Sequence, residues 1–362
     1  MRKLTRPLAV TAFFVLSLTA LAFLPIDPRS GSDTRTYQPH PPFPQRVSLD
    51  VFQEFDLWFV DRTRIHLPLL STGVAFHAGL LRRSTDRRLI VGRDGWLFWT
   101  DDFDFPATMV DFRGHMRFTE AEVKTANQRL LAMRDQLATC DARGLIVIAP
   151  NKQSIYGEYL DNAGSRAKTR LDDLLPRLDP QARKMLLDLR KPLRAAKAQD
   201  PSMPLYFKTD THWNDLGAYF GYRAIIEALA KQIPVSNLSL AAFDQFTTDV
   251  KPFIRGDLSV IMLSARDWFP DVQVGVWRKT DGNIPFYGGS GRLILLGDSF
   301  SLALKRYFLP HFAEVRSGPY VNTPAELKEG QGKPSAVVFE MVERYLPYIN
   351  VQNIDWTQFC PH

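Results

Sequence analysis

Cysteine is scarce in this chain. Cys140 and Cys360 are the only two in 362 residues, and neither stands in a metal-ligand spacing. The seven histidines (40, 66, 77, 115, 212, 311 and 362) show no paired ligand spacing either, so no metal site is expected. There is no Lys/Arg block. The formal net charge of +6 is modest for this length, and a basic surface of that size gives no ground for a nucleic-acid partner. Internal repeats and long low-complexity tracts are missing, which excludes solenoid and fibrous classes. No cofactor is expected. What remains is ordinary globular composition, 45% hydrophobic and 23% charged, with ample material for a sizeable core.

Only one long uncharged run occurs, and it is at the start. Residues 1–6 carry three positive charges, and Leu8 to Leu24 follow without any. This pattern is a secretory signal or signal anchor. Ala20-Leu21-Ala22 resembles a cleavage site, whereas the run exceeds the roughly 7–15 residues of a cleaved segment and favours a retained anchor. The positive flank stays inside, so the rest is expected outside the inner membrane, in the periplasm. The domain plan is then 1–25 signal or anchor, 26–46 a linker rich in Pro, Ser, Arg and Asp, and 47–362 a single folded domain. In such a compartment the two cysteines either form one disulfide, pinning the C-terminal tail to a helix end, or remain separate thiols.

The middle of the chain alternates helices with short apolar strands. Val51, Phe55, Leu57, Trp58 and Ile65 lie near helical spacing in an amphipathic segment ending before Pro68. Arg93-Asp94-Gly95 between apolar runs in residues 88–99 marks a hairpin. Thr119 and Glu122 form a capping-box signature. Behind it Val123, Ala126, Leu130, Met133 and Leu137 make an apolar helix face. Leu145–Ala149, Leu293–Leu296 and Ala336–Phe339 read as buried parallel strands, with helices over 222–232 and 300–308. The expected fold is α/β, a mostly parallel, doubly wound sheet flanked by helices, with its chemistry at the strand C-terminal ends.

Two motifs fall at such ends. Gly297-Asp298-Ser299-Phe300-Ser301 follows a strand and precedes a helix, which exposes the Ser299 hydroxyl beside unpaired N–H groups. Gly297 permits a tight backbone there. Asp210-Thr211-His212-Trp213-Asn214 supplies what a serine nucleophile needs: His212 as base and Asp210 as its orienting carboxylate. Trp213, and after it Tyr206, either stack on sugar rings or pack beneath the loop.

Together these motifs resemble the alginate O-acetyltransferase (AlgX/AlgJ-type) branch of the SGNH-hydrolase superfamily. Further segments agree over residues 44–350: the helix Phe52–Leu70, Gly92–Phe98, the Pro150-Asn151-Lys152 strand end and Gly256-Asp257-Leu258. The His loop preceding the serine strand matches the permuted strand order of that branch. The resemblance implies Ser299, His212 and Asp210 as catalytic residues, with Gly297, Arg344, Trp213 and Lys152 as candidate binding residues. It also implies that the strand Ala336–Phe339 stands where the superfamily carries an oxyanion-hole Asn. No Asn is there. Arg344 or a nearby N–H is the candidate replacement, unless Glu340 and Arg344, four apart, simply pair. The implied activity is acetyl transfer to hydroxyls of an exported polysaccharide through an acetyl-serine. A membrane-bound O-acyltransferase would supply the acetyl group at the inner membrane. A carbohydrate acetylesterase with the same site and a non-catalytic polysaccharide-binding factor are the competing readings.

Overall fold

The structure is a computed structural model that describes residues 82, 84, 86, 88–100, 108–161, 167–233, 246–253, 256–261, 269–278, 290–321, 327, 333–351 and 353–360. The segments expected to form the signal or anchor, the linker and the helix Phe52–Leu70 lie outside the described residues. Among the described residues no helix is long and apolar enough to cross a membrane. They fall in one unit, Arg82–Ile261 with Phe269–His362.

Three continuous apolar runs dominate: β3 (Arg143–Ala149), β7 (Arg292–Gly297) and β9 (Ala336–Val342). Two shorter edge strands, β4 (Leu186–Asp188) and β8 (Glu314–Pro319), complete a five-stranded sheet in the order β4-β3-β9-β7-β8. Every pairing in it is parallel. Parallel strands are covered on both faces, and the side chains sort by alternation. Leu293 and Leu295 of β7 and Ala336 and Val338 of β9 face one core. Ile294, Leu296, Val337, Phe339 and Met341 face the other. Each Leu, Ile, Val, Phe or Met among them contributes about 1.5–3 kcal/mol by leaving water, so a charge placed at Val338 should unfold the sheet.

Helix α1 (Glu120–Ala138) covers the second core with Val123, Ala126, Leu130, Met133 and Leu137. Its start is the expected capping box: the Glu122 N–H donates to Thr119 Oγ1 at 3.2 Å, and the Thr119 N–H donates to Glu122 Oε2 at 2.7 Å. Helices α2 (Lys152–Tyr156) and α3 (Arg190–Gln199) follow β3 and β4. Helix α4 (Asp215–Ala230) covers the first core with Tyr219, Tyr222, Ile225 and Ile226. A disulfide joins Cys140, just past α1, to Cys360, which fixes the C-terminal tail there.

The expected hairpin is present as β1 (Leu89–Val91) and β2 (Leu97–Trp99), turning through Asp94 at φ 55° and Gly95 at φ 78°. Other segments differ from the sequence reading. The helix placed at 222–232 begins seven residues earlier, at Asp215, because Asn214 caps it. Residues 299–303 are a 3-10 turn, followed by a four-residue helix Lys305–Phe308. Ahead of the histidine, Leu205-Tyr206-Phe207 contributes one bridge, Tyr206 with Trp213. A second hairpin, β5 (Phe246–Phe253) with β6 (Asp271–Arg278), and the polar edge strand β8 carry no long apolar run. The serine strand β7 lies between β9 and β8 in the sheet. β8 follows β7 along the chain, while β9 lies between β7 and β3. The chain therefore winds outward to both sides of β9, and in such sheets the C-terminal strand ends at the reversal are where sites form.

Candidate active site

Ser299 stands where β7 ends. Asp298 caps the 3-10 turn that follows, its Oδ1 accepting the Phe300 N–H at 2.9 Å. The Asp298 carbonyl accepts both the N–H and the hydroxyl of Ser301, at 3.1 and 2.7 Å. Oδ2 accepts the Val342 N–H at 2.8 Å, tying the turn to the end of β9. A Cβ at position 297 would lie 2.4 Å from Ser301 Cβ and 2.8 Å from Glu340 Oε2, so only glycine fits. The nucleophile turn is thus fixed beneath while Ser299 itself is exposed.

His212 comes from a loop with little secondary structure of its own. The Tyr206–Trp213 bridge closes it, and the Asn214 side chain starts α4 by accepting the Leu216 and Gly217 N–H groups at 3.0 and 3.1 Å. Distant residues hold the rest. The Lys152 ammonium donates to the carbonyls of Phe207, Lys208 and Asp210 at 3.2, 2.9 and 2.6 Å. Thr209 donates its N–H and hydroxyl to Asp271 Oδ2 at 2.8 and 2.7 Å. A Cβ at Gly256 would lie 2.1 Å from the Thr209 carbonyl oxygen. That close approach lets helix α5 (Asp257–Ile261) abut the loop.

The two motifs, 87 residues apart, meet. His212 Nε2 lies 2.6 Å from Ser299 Oγ, and His212 Nδ1 lies 2.6 Å from Asp210 Oδ1. An acceptor-only carboxylate requires the proton on Nδ1, which leaves Nε2 to accept the serine hydroxyl proton. Asp210 Oδ1 also accepts the His212 N–H, and Oδ2 accepts the Asp257 N–H, both at 2.9 Å. Burial works to raise the Asp210 pKa. The hydrogen bond and charge of His212 and the two backbone N–H groups outweigh it, so this carboxylate lies below its ordinary range. Asp257 moves the other way, raised by burial and then by the Asp210 charge. It supports the loop by accepting the Thr211 N–H at 2.7 Å and the Thr211 hydroxyl. Asp210, His212 and Asp257 are close enough to gather a cation. A metal on Nδ1 would displace the bond that orients the imidazole for Ser299.

Each residue singled out in the sequence has a definite place. Gly297 lets β7 pass close to Ser301 and Glu340. Trp213 is buried, its indole N–H donating to the Phe300 carbonyl at 3.1 Å. Tyr206 is buried too, its hydroxyl donating to the Pro150 carbonyl at 2.7 Å. Both pack under the site, so neither presents a face to a sugar ring. Lys152 is likewise buried and spends its three donors on the His loop. It is a support of that loop, and the binding role expected of it is corrected accordingly. Burial lowers the Lys152 pKa to about 8, against the pull of Asp257, Asp210 and Asp271. Arg344 lies half-buried with its guanidinium 5.7 Å from the centre of the Phe300 ring, which is 4.9 Å from the His212 ring. It forms no ion pair with Glu340 among the described residues. β9 extends through Val342, so the two are not a helical i,i+4 pair. The sequence reading missed Asp271, left Asp257 and Asp298 without roles, and gave Glu340 only a possible pairing with Arg344. The Gly256-Asp257 and Gly297-Asp298 motifs were the available signals for two of them.

A parallel sheet between helices, with an Asp-x-His loop and a serine turn at one C-terminal edge, defines the SGNH-hydrolase-like α/β class. The family model described as SGNH hydrolase-like domain, acetyltransferase AlgX, matches residues 89–312, and the chain belongs to that family. Among its relatives, the probable alginate O-acetylase AlgJ of Pseudomonas putida is 28% identical over 305 residues, 75% of this chain and 73% of the relative. The protein of the same name from Pseudomonas aeruginosa is 24% identical over 293 residues, 72% of this chain and 70% of the relative. The solved O-acetyltransferase domain of Pseudomonas putida AlgJ superposes with a TM-score of 0.45 at 24% identity, covering 72% of this chain and 92% of that one.

Proposed function

We propose that this protein is a serine-dependent O-acetyltransferase that moves acetyl groups onto hydroxyls of an exported polysaccharide. The observation that carries the reading is the unbroken relay Asp210–His212–Ser299, with both links at 2.6 Å. The names of the relatives, alginate O-acetylases, support the acetyl group and a polymer acceptor.

The chemistry follows from that relay. His212 Nε2 takes the Ser299 proton as Oγ attacks the carbonyl carbon of an acetyl ester. The Ser299 N–H and the Arg344 guanidinium are the proposed donors to the developing oxyanion. The C–O bond to the donor breaks, and the leaving alkoxide takes the proton back from Nε2. A sugar hydroxyl then occupies the vacated place, gives its proton to Nε2 and attacks the acetyl-serine. Ser299 Oγ leaves and is reprotonated. Asp210 stays ionised throughout and stabilises the imidazolium.

The reading extends to location. The basic flank before Leu8–Leu24 supports export with the catalytic domain in the periplasm, anchored at the inner membrane. The Cys140–Cys360 bond supports an oxidising compartment. Acetyl-CoA is absent from such a compartment, so a membrane-bound O-acyltransferase is the proposed acetyl supplier.

The test is to mix the purified chain with an activated acetyl ester and uronate oligosaccharides. Acetylated oligosaccharide and a transient acetyl-Ser299 are expected by mass spectrometry. Turnover to free acetate alone makes the protein an acetylesterase, and binding without turnover makes it an assembly factor. A periplasm-only reporter fused to the C-terminus should be active; a silent one removes the proposed location.

A further inference from the structure

β9 alternates between two cores. Ala336, Val338 and Val342 face the one that holds Tyr206 and Phe300. By the same alternation, Glu340 projects into that core. It has no exposed surface, and neither carboxyl oxygen receives a donor from the described residues. An ionised carboxylate so placed would be among the most costly groups a core can hold.

The groups facing Glu340 come from four elements: Asp298 after β7, Arg344 after β9, Tyr206 from the His loop and Tyr320 after β8. Its carboxyl lies against the serine turn, with Oε2 2.8 Å from where a Gly297 Cβ would be. Asp298 acts on it most strongly of these groups, its side chain raising the Glu340 carboxyl and its backbone N–H lowering it. Two backbone N–H groups, of Phe300 and Val342, already fix the Asp298 carboxylate at 2.9 and 2.8 Å. A carboxylate is an acceptor only. A second carboxyl can bond to that carboxylate only by bringing the proton itself.

We propose that Glu340 is a positioning residue: as a neutral carboxylic acid it donates its proton to Asp298 and locks the turn that carries Ser299 onto β9. Burial first, and the Asp298 charge second, push the Glu340 carboxyl well above the usual carboxylate range, in keeping with this. With the proton in place, Asp298 holds three donors, and Ser299 Oγ stays within reach of His212. When the proton leaves as pH rises, two negative charges face each other beneath the nucleophile. Arg344 offsets them only in part, and the turn loosens. The proposal rests on Ser299 being the nucleophile.

The test uses the full chain and an activated acetyl ester. Ser299→Ala, Glu340→Gln and Glu340→Leu are compared by kcat, KM, pH profile and thermal midpoint. Glutamine keeps a donor toward Asp298 and cannot ionise, so it should hold activity at pH 7 within about three-fold and lose part of the alkaline decline. Leucine should lower kcat by about 10²-fold with KM nearly unchanged, as a misplaced nucleophile does. Lys152, which burial lowers to about 8, supports the other half of the site and is present in every variant. Superimposable pH profiles for wild type and Glu340→Gln, or full activity in Glu340→Leu, overturn the proposal while an inactive Ser299→Ala preserves the nucleophile. An active Ser299→Ala overturns the reading beneath both. If Glu340→Leu does not fold, the Glu340→Gln profile decides.

Discussion

The serine turn is assembled within a few residues of itself: a buried strand, a glycine with no room for a Cβ, and a capping aspartate that bonds the next turn. The histidine loop has almost none of this. Its only regular feature is one bridge, and its carbonyls and hydroxyls are held by Lys152 from α2, Asp257 from α5 and Asp271 from β6. The nucleophile is therefore local and the base is borrowed. A buried strand end tolerates little movement. A loop held by side chains from three other elements depends on each of them, so supports far away in sequence should control how well His212 meets Ser299.

The sharpest way to break this comparison is at the point where the two regions meet. Ser299→Ala and His212→Ala should each lower kcat for an activated acetyl ester by about 10⁴–10⁶-fold, and the double variant should be scarcely worse than either. Additive losses would mean that the two regions act separately. Asp210→Asn should cost about 10⁴-fold, because it offers a donor where the imidazole N–H needs an acceptor and so mis-sets the tautomer.

Next in size is the support of the loop. Lys152→Met should lower kcat by about 10²-fold, since three carbonyls lose their donor and the loop shifts. Its effect on stability carries a sign. The folded-state pKa of Lys152, about 8, is below its ordinary value. Between the two values the unfolded chain binds the extra proton, so this lysine penalises folding below pH 8, and the penalty fades as pH rises toward 10.5. The wild type should gain stability relative to Lys152→Met across that window, by about 3 kcal/mol at most. Urea midpoints at pH 7 and pH 10 measure it. A constant difference would show that the ammonium is not buried as described.

The same contrast governs what could be read in advance. The central strands, the capping box at Thr119 and the Asp-Gly hairpin were legible because apolar runs and local hydrogen bonds act over a few residues. Gly297-Asp298-Ser299 and Asp210-x-His212 were legible for the same reason. Lys152 was noticed but misjudged, because sequence position says nothing about which way a long side chain turns. Its target carbonyls lie more than 50 residues away. Asp271 and the hairpin that carries it gave no local signal. Trp213 shows the remaining ambiguity: an aromatic beside a catalytic residue looks alike in sequence whether it faces a ligand or, as here, buries its indole under the loop.

The smallest effect on catalysis is expected from the strongest covalent tie. Cys140 and Cys360 join the end of α1 to the C-terminal tail, closing a loop across a separation of 220 residues. Neither the serine turn nor the histidine loop contacts that bond. Loop-closure entropy puts its stabilisation at a few kcal/mol, up to about 5 for so long a loop. The double Cys140→Ser, Cys360→Ser variant should therefore melt several degrees lower and unfold at lower urea, while kcat at 25 °C stays within about two-fold of wild type. Reducing the wild type with a thiol should reproduce the shift and leave the double variant unchanged. If reduction instead removed activity with little loss of stability, the tail would have to act on the relay. The independence drawn between the outer tie and the two halves of the site would then fail.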